Sequence, residues 1–346
     1  MGNFVAIDGS LLAFRASAAG EKRTIVVTHR KTGKAKPFAH RTAFKEFITE
    51  TNVTRTEARL LPFHITDFEI EDKIEAPPVE QAYKNVKSIL SYILKACDAS
   101  AYEVYLDEGL TFRHHLATVQ QYKGNRLGKQ KPLNLQAVKD YMVLYHKAKV
   151  ITDVEADDVL NYWQWKGRRV GEGSKDKKYI AATFDKDAFG NEGWVFDFRK
   201  DSSGVPLMAR PLYVHGLGGL KENANKDIKG VGRKFFYFQW LCEDTADNYK
   251  ANKLAGVRFG KKAAYHYLKD LKTDRECIQA VAAKFKEWYP EPLAYTTWDN
   301  LEIEGDWISL SQEYFDLARM RRWDGDILDV EEFYIKHGVE TTGGRK

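Results

Sequence analysis

The chain has 346 residues, 43% of them hydrophobic and 13% aromatic, enough for a substantial core. Single cores stop growing at roughly 250–300 residues, so one large or two ordinary domains are expected. No apolar run approaches the ~18 residues that cross a bilayer, which excludes a membrane-spanning helix of that kind. The net charge of +5 is too small to identify a partner, but its distribution is uneven: Lys and Arg gather in short clusters, while Asp and Glu recur singly at the ends of β-type runs.

In chain order, "MGNFVAIDGSLL" has no basic n-region and its apolar run ends in polar residues, so it predicts a first strand at 3–8 rather than an export signal. Two β-type pieces within 22–47 flank "KTGK" and its turn-forming glycine. They predict a basic hairpin inserted after the first strand, with "EAPP" at 75–78 closing the insertion. Further β-type runs follow at 102–107, 148–151, 178–185 and 193–198, with helical patterns at 83–96 and 134–147 between or before them. That alternation predicts a parallel, three-layer α/β sheet. From about 235 the pattern turns helical, and 290–346 has Trp, Tyr and Pro spaced as a packed C-terminal extension ending in a frayed "TTGGRK". The expected organisation is an α/β domain over 1–240 with an insertion at about 15–75, a helical region over 241–290, and an extension over 291–346. Cys97, Cys242 and Cys277 are far apart and in no ligand spacing, which argues for a reducing compartment and against disulfides or zinc.

Acids mark the strand ends. Asp8 ends the first run, Asp107 the second and Asp185 the fourth, while Asp153, Glu155, Asp157 and Asp158 follow the third without a lysine or arginine among them. Ligands of open parallel sheets bind outside the carboxyl ends of the strands, so these groups should converge. Carboxylates brought together repel and raise one another's pKa unless cations neutralise them. An oxygen-only donor set suits Mg²⁺ or Mn²⁺. Glu155 and Asp158, three apart, should share a helical face, with Asp157 pointing away and Asp153 serving as a capping or surface acid. Asp185 and Asp187 alternate as at a strand end, and Asp244 and Asp247 have helical i, i+3 spacing. Capping and solvated turns explain any one of these acids; their recurrence at successive strand ends favours a site.

Basic residues lie between them. "FRHHLATVQQYKGNRLGKQKP" carries Arg113, Lys123, Arg126, Lys129 and Lys131 beside Tyr122, a combination that can hold a phosphodiester and stack on a base. Lys250, Lys253, Arg258, Lys261 and Lys262 surround a glycine-containing turn read as lying between two helices. Its amides could meet a phosphate, or it could be an ordinary helical hairpin of the core.

These residues resemble the structure-specific 5′ nucleases, the flap endonucleases and 5′→3′ exonucleases, especially the bacteriophage enzymes and the 5′ nuclease domain of bacterial DNA polymerase I. The resemblance rests on "VAIDGSLLAFRA", "YLDEG" followed by "FR" and "YKGNR", "EADDVL", "FDKDAF", and "EDTADNY" followed by "GVRFGKKAA". It implies an α/β PIN-like nuclease domain with a helical arch at about 110–147 and a helix-turn-helix-type duplex-binding region over 244–268. It implies two Mg²⁺ or Mn²⁺ ions about 4 Å apart, held by Asp8, Asp107, Glu155, Asp157, Asp158, Asp185, Asp187, Asp244 and Asp247. Tyr122 would stack on a terminal base, Lys123 and Arg126 would contact the scissile phosphate, and Arg113, Lys253, Arg258, Lys261 and Lys262 would bind DNA. The family often holds K⁺ on loop carbonyls of the hairpin; here Glu243 and Arg258 stand where the family commonly has glycine. The implied substrate is DNA with 5′ ends, flaps or nicks in phage-type replication, primer removal or recombination. An RNA·DNA hybrid ribonuclease or a non-catalytic DNA-binding protein are the alternatives. A replication polymerase or single-strand binding protein is the implied partner, for a monomer in the (host) cytoplasm.

Overall fold

A computed structural model describes residues 2–341, so the expected frayed tail lies outside the described residues apart from Thr341. In chain order the elements are β1 (Asn3–Asp8), α1 (Gly9–Ala18), β2 (Lys22–His29), β3 (Ala35–Phe38), α2 (Arg41–Glu57), β4 (Phe68–Glu75), α3 (Val79–Ala96), β5 (Ala99–Thr111) and α4 (Phe112–Leu116). Then come α5 (Leu135–His146), β6 (Lys149–Asp153), α6 (Ala156–Gly167), β7 (Tyr179–Ala182), β8 (Gly193–Phe196), β9 (Leu212–Val214), β10 (Gly219–Glu222), β11 (Ile228–Val231) and α7 (Arg233–Leu241). The chain closes with β12 (Glu243–Asp244), β13 (Tyr249–Lys250), α8 (Lys261–Leu268), α9 (Asp274–Trp288), β14 (Leu293–Thr296), β15 (Glu302–Gly305), α10 (Trp307–Ala318) and α11 (Val330–Lys336). It divides into two compact units, Met1–Leu12 with Ser88–Gln130 and Tyr141–Lys346, and Ala13–Lys87 with Lys131–Asp140. The span 110–147 expected to form an arch is shared between the two.

The first unit contains a six-stranded sheet in the order β6-β5-β1-β7-β8-β9. All neighbours are parallel except β8 and β9. The five parallel strands are the five predicted β-type runs, and β9 was not foreseen because three residues cannot display a period. Register assigns the two faces. Phe4, Ala6, Tyr105 and Ala181 lie on one and pack with Ala156 and Leu160 of α6. Ile7, Val104, Ala182 and Phe196 lie on the other, where Tyr92 of α3 meets Phe196 at 5.8 Å between ring centroids. Both faces are covered, as a parallel sheet requires, and the expected three-layer α/β architecture is what the unit forms.

Beyond the sheet, residues 233–341 of the same unit build a second core around Trp240, which is fully buried and stacks on Tyr334 while Phe315 meets its ring edge. The spaced aromatics of the C-terminal third are accounted for by that core. The helix-turn-helix expected over 244–268 is not formed. Residues 243–250 make the hairpin β12–β13, two short strands joined by a turn at 245–248, and a turn and loop lead to α8 at Lys261.

The second unit holds a three-stranded antiparallel sheet, order β3-β2-β4, against α2. Ile25 and Val27 of β2 and Phe44 of α2 form its buried centre. The predicted hairpin around "KTGK" is β2–β3; its turn closes through Gly33, whose φ of +65 lets its N–H donate to the His29 carbonyl at 2.9 Å. The helix α2 was masked in the sequence by its threonines and β-branched residues, which have low helix propensity. There Thr49 and Thr56 donate to carbonyls four residues back.

Candidate metal centre

Asp8 is the last residue of β1 and projects on the α6 side of the sheet. Its carboxylate accepts from the Leu11 N–H and the Thr183 hydroxyl, both at 2.9 Å. Asp107 lies two residues past Tyr105 on the same side, and it accepts from the Ala156 N–H at the start of α6. Asp157 follows in the first turn of α6, and its Oδ1 is buried with no hydrogen-bond partner among the described residues. Asp185 caps the 3₁₀ turn after β7, accepting from the Asp187 N–H at 2.9 Å. Among the described residues no ion pair neutralises Asp8, Asp157 or Asp185. Burial, reinforced by Asp107, pushes Asp8 up to about 7. Burial, then Asp187, pushes Asp185 up to about 7. Asp157 is raised well above the carboxylate range by burial and then by Asp8, Asp185 and Asp107. Four strand-end acids thus share one low-dielectric site with too little positive charge.

A second acidic group adjoins it electrostatically. Oxygens of Asp187, Asp244 and Asp247 lie within 4.8 Å of one another. Here the chain supplies a cation: Lys186 Nζ is 2.7 Å from Asp187 Oδ1 and 2.6 Å from Asp244 Oδ2. Gln239 also donates to Asp187. Burial alone would raise Asp244, yet Lys186 and two backbone N–H groups hold it below the usual range. Asp247 is pushed up to about 6, chiefly by burial against the opposing charge of Lys123. The i, i+3 spacing of Asp244 and Asp247 proves to be a turn and not a helix. Asp244 Oδ1 accepts from the N–H groups of Ala246 and Asp247 at 2.8 and 3.3 Å, an Asx turn bridging β12 and β13.

That turn is clipped to the "YKGNR" segment. The Lys123 N–H donates to the Asp247 carbonyl at 2.9 Å, Arg126 Nε to the Ala246 carbonyl at 3.0 Å, and Asn248 Nδ2 to the Gln121 carbonyl at 2.9 Å. Lys123 adopts φ +54 to make the bend. Its Nζ contacts Glu155, and Arg126 Nη2 lies 3.0 Å from Asp247 Oδ1. Two motifs some 120 residues apart are one structural element, and it places both cations against the acids.

Four expectations are corrected here. Arg113 is no DNA contact: it is fully buried, donates to Asp158 at 2.7 and 2.9 Å, reaches Glu155 at 3.3 Å, and binds the Arg319 carbonyl at 2.7 Å. Asp158 leaves the ligand set, because its oxygens are taken by Arg113 and the N–H groups of Glu155 and Arg321. Glu155 caps α6 and its carboxylate is engaged by Arg113, Lys123 and Tyr122, so its charge is met by side chains. Burial would raise it, but Arg113 and Lys123 hold it below the usual range. Tyr122 is no exposed stacking platform: its ring is buried, meets His114 edge-on, and its hydroxyl donates to Glu155. Lys253, Arg258, Lys261 and Lys262 are exposed on the loop before α8 and its first turn. Sequence reasoning missed Lys186 and Gln239. The lysine between two acids in "DKD" and the lone polar residue in "FFYFQWL" were the available signals.

The donor set of Asp8, Asp107, Asp157 and Asp185 fits a hard divalent cation: it is all oxygen, undercompensated, and contains a buried carboxylate oxygen without a hydrogen-bond partner among the described residues. No protein-family model and no curated protein matches the chain. Its structure is similar to that of the bacteriophage T5 D15 protein co-crystallized with metal ions, at 16% identity and a TM-score of 0.42 over 97% of this chain and 92% of that one. It is likewise similar to a substituted T5 D15 flap endonuclease in a pseudo-enzyme-product complex with DNA and metal ions, at 16% identity and a TM-score of 0.45 over 97% of each chain.

Proposed function

We propose that the chain is a divalent-metal-dependent nuclease that hydrolyses phosphodiesters at DNA 5′ ends, as an exonuclease or on 5′ flaps. The observation that carries this reading is the unpartnered, buried Asp157 carboxylate oxygen among Asp8, Asp107 and Asp185, with Lys123 and Arg126 fixed beside the neighbouring acids. Asp8, Asp107, Asp157 and Asp185 would hold one Mg²⁺ or Mn²⁺, and Asp187, Asp244 and Asp247 a second, which would displace the half-exposed Lys186 ammonium from Asp187 and Asp244. Ions bound there would supply a water that is nucleophilic at neutral pH and neutralise charge on the phosphate.

The chain's own residues do the remaining work. Lys123 and Arg126 exchange their contacts with Glu155 and Asp247 for phosphate oxygens, so positive charge is in place before negative charge develops. Arg113 and Tyr122 fix Glu155, and Glu155 holds Lys123 in position while no substrate is bound. Hydrolysis forms one P–O bond from water and breaks the bond to the leaving sugar oxygen, which departs with a proton. Lys253, Arg258, Lys261 and Lys262 would meet duplex phosphates. Asp185→Asn should lose Mg²⁺-dependent cleavage of 5′-labelled flap DNA and keep DNA binding; appreciable residual cleavage would overturn the assignment. A matched panel of flap, nicked, blunt and RNA·DNA substrates then identifies the preferred end and tests the hybrid ribonuclease alternative.

A further inference from the structure

The second unit carries a segregated charge pattern that the metal centre does not use. Between Lys22 and Lys45 there are eight Lys or Arg and no Asp or Glu. Arg30, Lys31, Lys34 and Lys36 are exposed at the turn and edge strand of the β2–β3 hairpin. The opposite edge, β4, carries Glu69, Glu71, Asp72 and Glu75 with one cation, Lys73, paired with Glu75. A merely solubilising surface would intersperse its signs; here they are sorted across the width of one small sheet.

The cationic tip is also braced by local contacts. His29 is hydrogen-bonded to Thr32 at 3.0 Å and wedged edge-on against Phe63 and Phe68 at 5.2 and 5.1 Å. Lys36 lies over the Phe47 ring at 4.1 Å, and Arg41, farther along, is already paired with Asp72. Among the described residues no ion pair engages Arg30, Lys31 or Lys34. A β-ribbon braced in this way, with cations at its tip that make no ion pair among the described residues, would meet phosphates at a reduced ordering cost. The aromatics of the hairpin sheet and α2 are spent on their own core, with Phe44 buried and Phe38, Phe47 and Phe68 packed on it, so the hairpin does not display them as faces on which bases could stack.

We propose that the β2–β3 hairpin is a second nucleic-acid contact, binding the phosphate backbone of duplex DNA without regard to sequence through Arg30, Lys31 and Lys34. The inference rests on the nuclease reading only for the choice of DNA as ligand. The test is fluorescence anisotropy of the full chain on a 5′-flap duplex in EDTA, from 50 to 200 mM KCl, with R30Q/K31Q/K34Q and with K31Q alone. The triple variant should bind about tenfold or more weakly, and its slope of log affinity against log salt should flatten by about 2–3, with about a third of that change for K31Q. Parent-like affinity and slope for a folded triple variant overturn the proposal. A parent chain that cleaves while the variant binds like it sinks the hairpin alone; a parent that binds through the hairpin but never cleaves with Mg²⁺ sinks the nuclease reading alone.

Discussion

Two buried acidic groups meet at the start of α6 and differ in what neutralises them. Asp158, at the third helical position, is saturated by the Arg113 guanidinium and backbone N–H groups, and Glu155 shares that arginine with Lys123. Asp157, one residue away, turns to Asp8, Asp107 and Asp185, and the chain supplies no cation to match. Desolvating a carboxylate is costly in both places. In one the fold compensates with its own arginine, a structural solution; in the other the cost persists, a pattern that clusters at functional sites and supports the proposed metal site. Adjacent letters of "EADD" therefore do opposite jobs.

Substitutions on the two sides should separate cleanly. Asp157→Asn is expected to lower Mg²⁺-dependent cleavage by about a hundred- to a thousandfold while raising the metal-free melting temperature, because a repelled charge is removed; a lower melting temperature would place Asp157 on the structural side. Arg113→Met strands Asp158 as a buried acid without its cation and leaves Glu155 with Lys123 as its ion-pair partner, so urea unfolding should report a loss of about 3–5 kcal/mol. A neutral effect would contradict the clamp. Lys123→Ala should slow cleavage about tenfold to a hundredfold and alter duplex affinity far less; equal losses in both would reduce Lys123 to a backbone contact.

The uncompensated side also has a pH signature. Asp8 and Asp185 rise from an ordinary 3.8 to about 7 in the fold, so the folded state binds more protons than the unfolded one. Metal-free stability contributed by these groups should therefore fall as pH rises from the unfolded value through about 7. Divalent ions need the deprotonated carboxylates, so the gain in melting temperature on adding Mg²⁺ should be larger near pH 8 than near pH 5. A pH-independent gain would separate these acids from metal binding. The smallest effect belongs to Lys186→Met. Its side chain is 48% exposed, and solvent screening limits the loss of metal-free stability to about 1 kcal/mol or less.

The parts of the molecule legible in sequence were those with a local period or position. Fully buried parallel strands are continuous apolar runs, so the five sheet strands and the acids at their ends could be placed. Arg113 could not: in "FRHHL" it has the look of a surface arginine, and its burial depends on Asp158, 45 residues on, and on the Arg319 carbonyl, 206 residues on. Tyr122 was misread for the same reason, because its partner Glu155 is set by α6. The Asp244 and Asp247 pair was ambiguous because i, i+3 spacing serves a helix and an Asx turn alike; Asn248, at φ +62, was the residue that chose the turn. Strands β9 to β13 span two to four residues, too short for alternation to register.

The central claim, that the strand-end acids form a metal site for phosphodiester hydrolysis, is tested most directly by incubating the chain and its Asp185→Asn variant with 5′-labelled flap DNA in Mg²⁺ and in EDTA. Cleavage by the parent in Mg²⁺ alone, with an inactive variant that still binds the DNA, is the expected result. Cleavage that survives EDTA or the substitution, or no cleavage by a parent chain that binds the DNA, would contradict it.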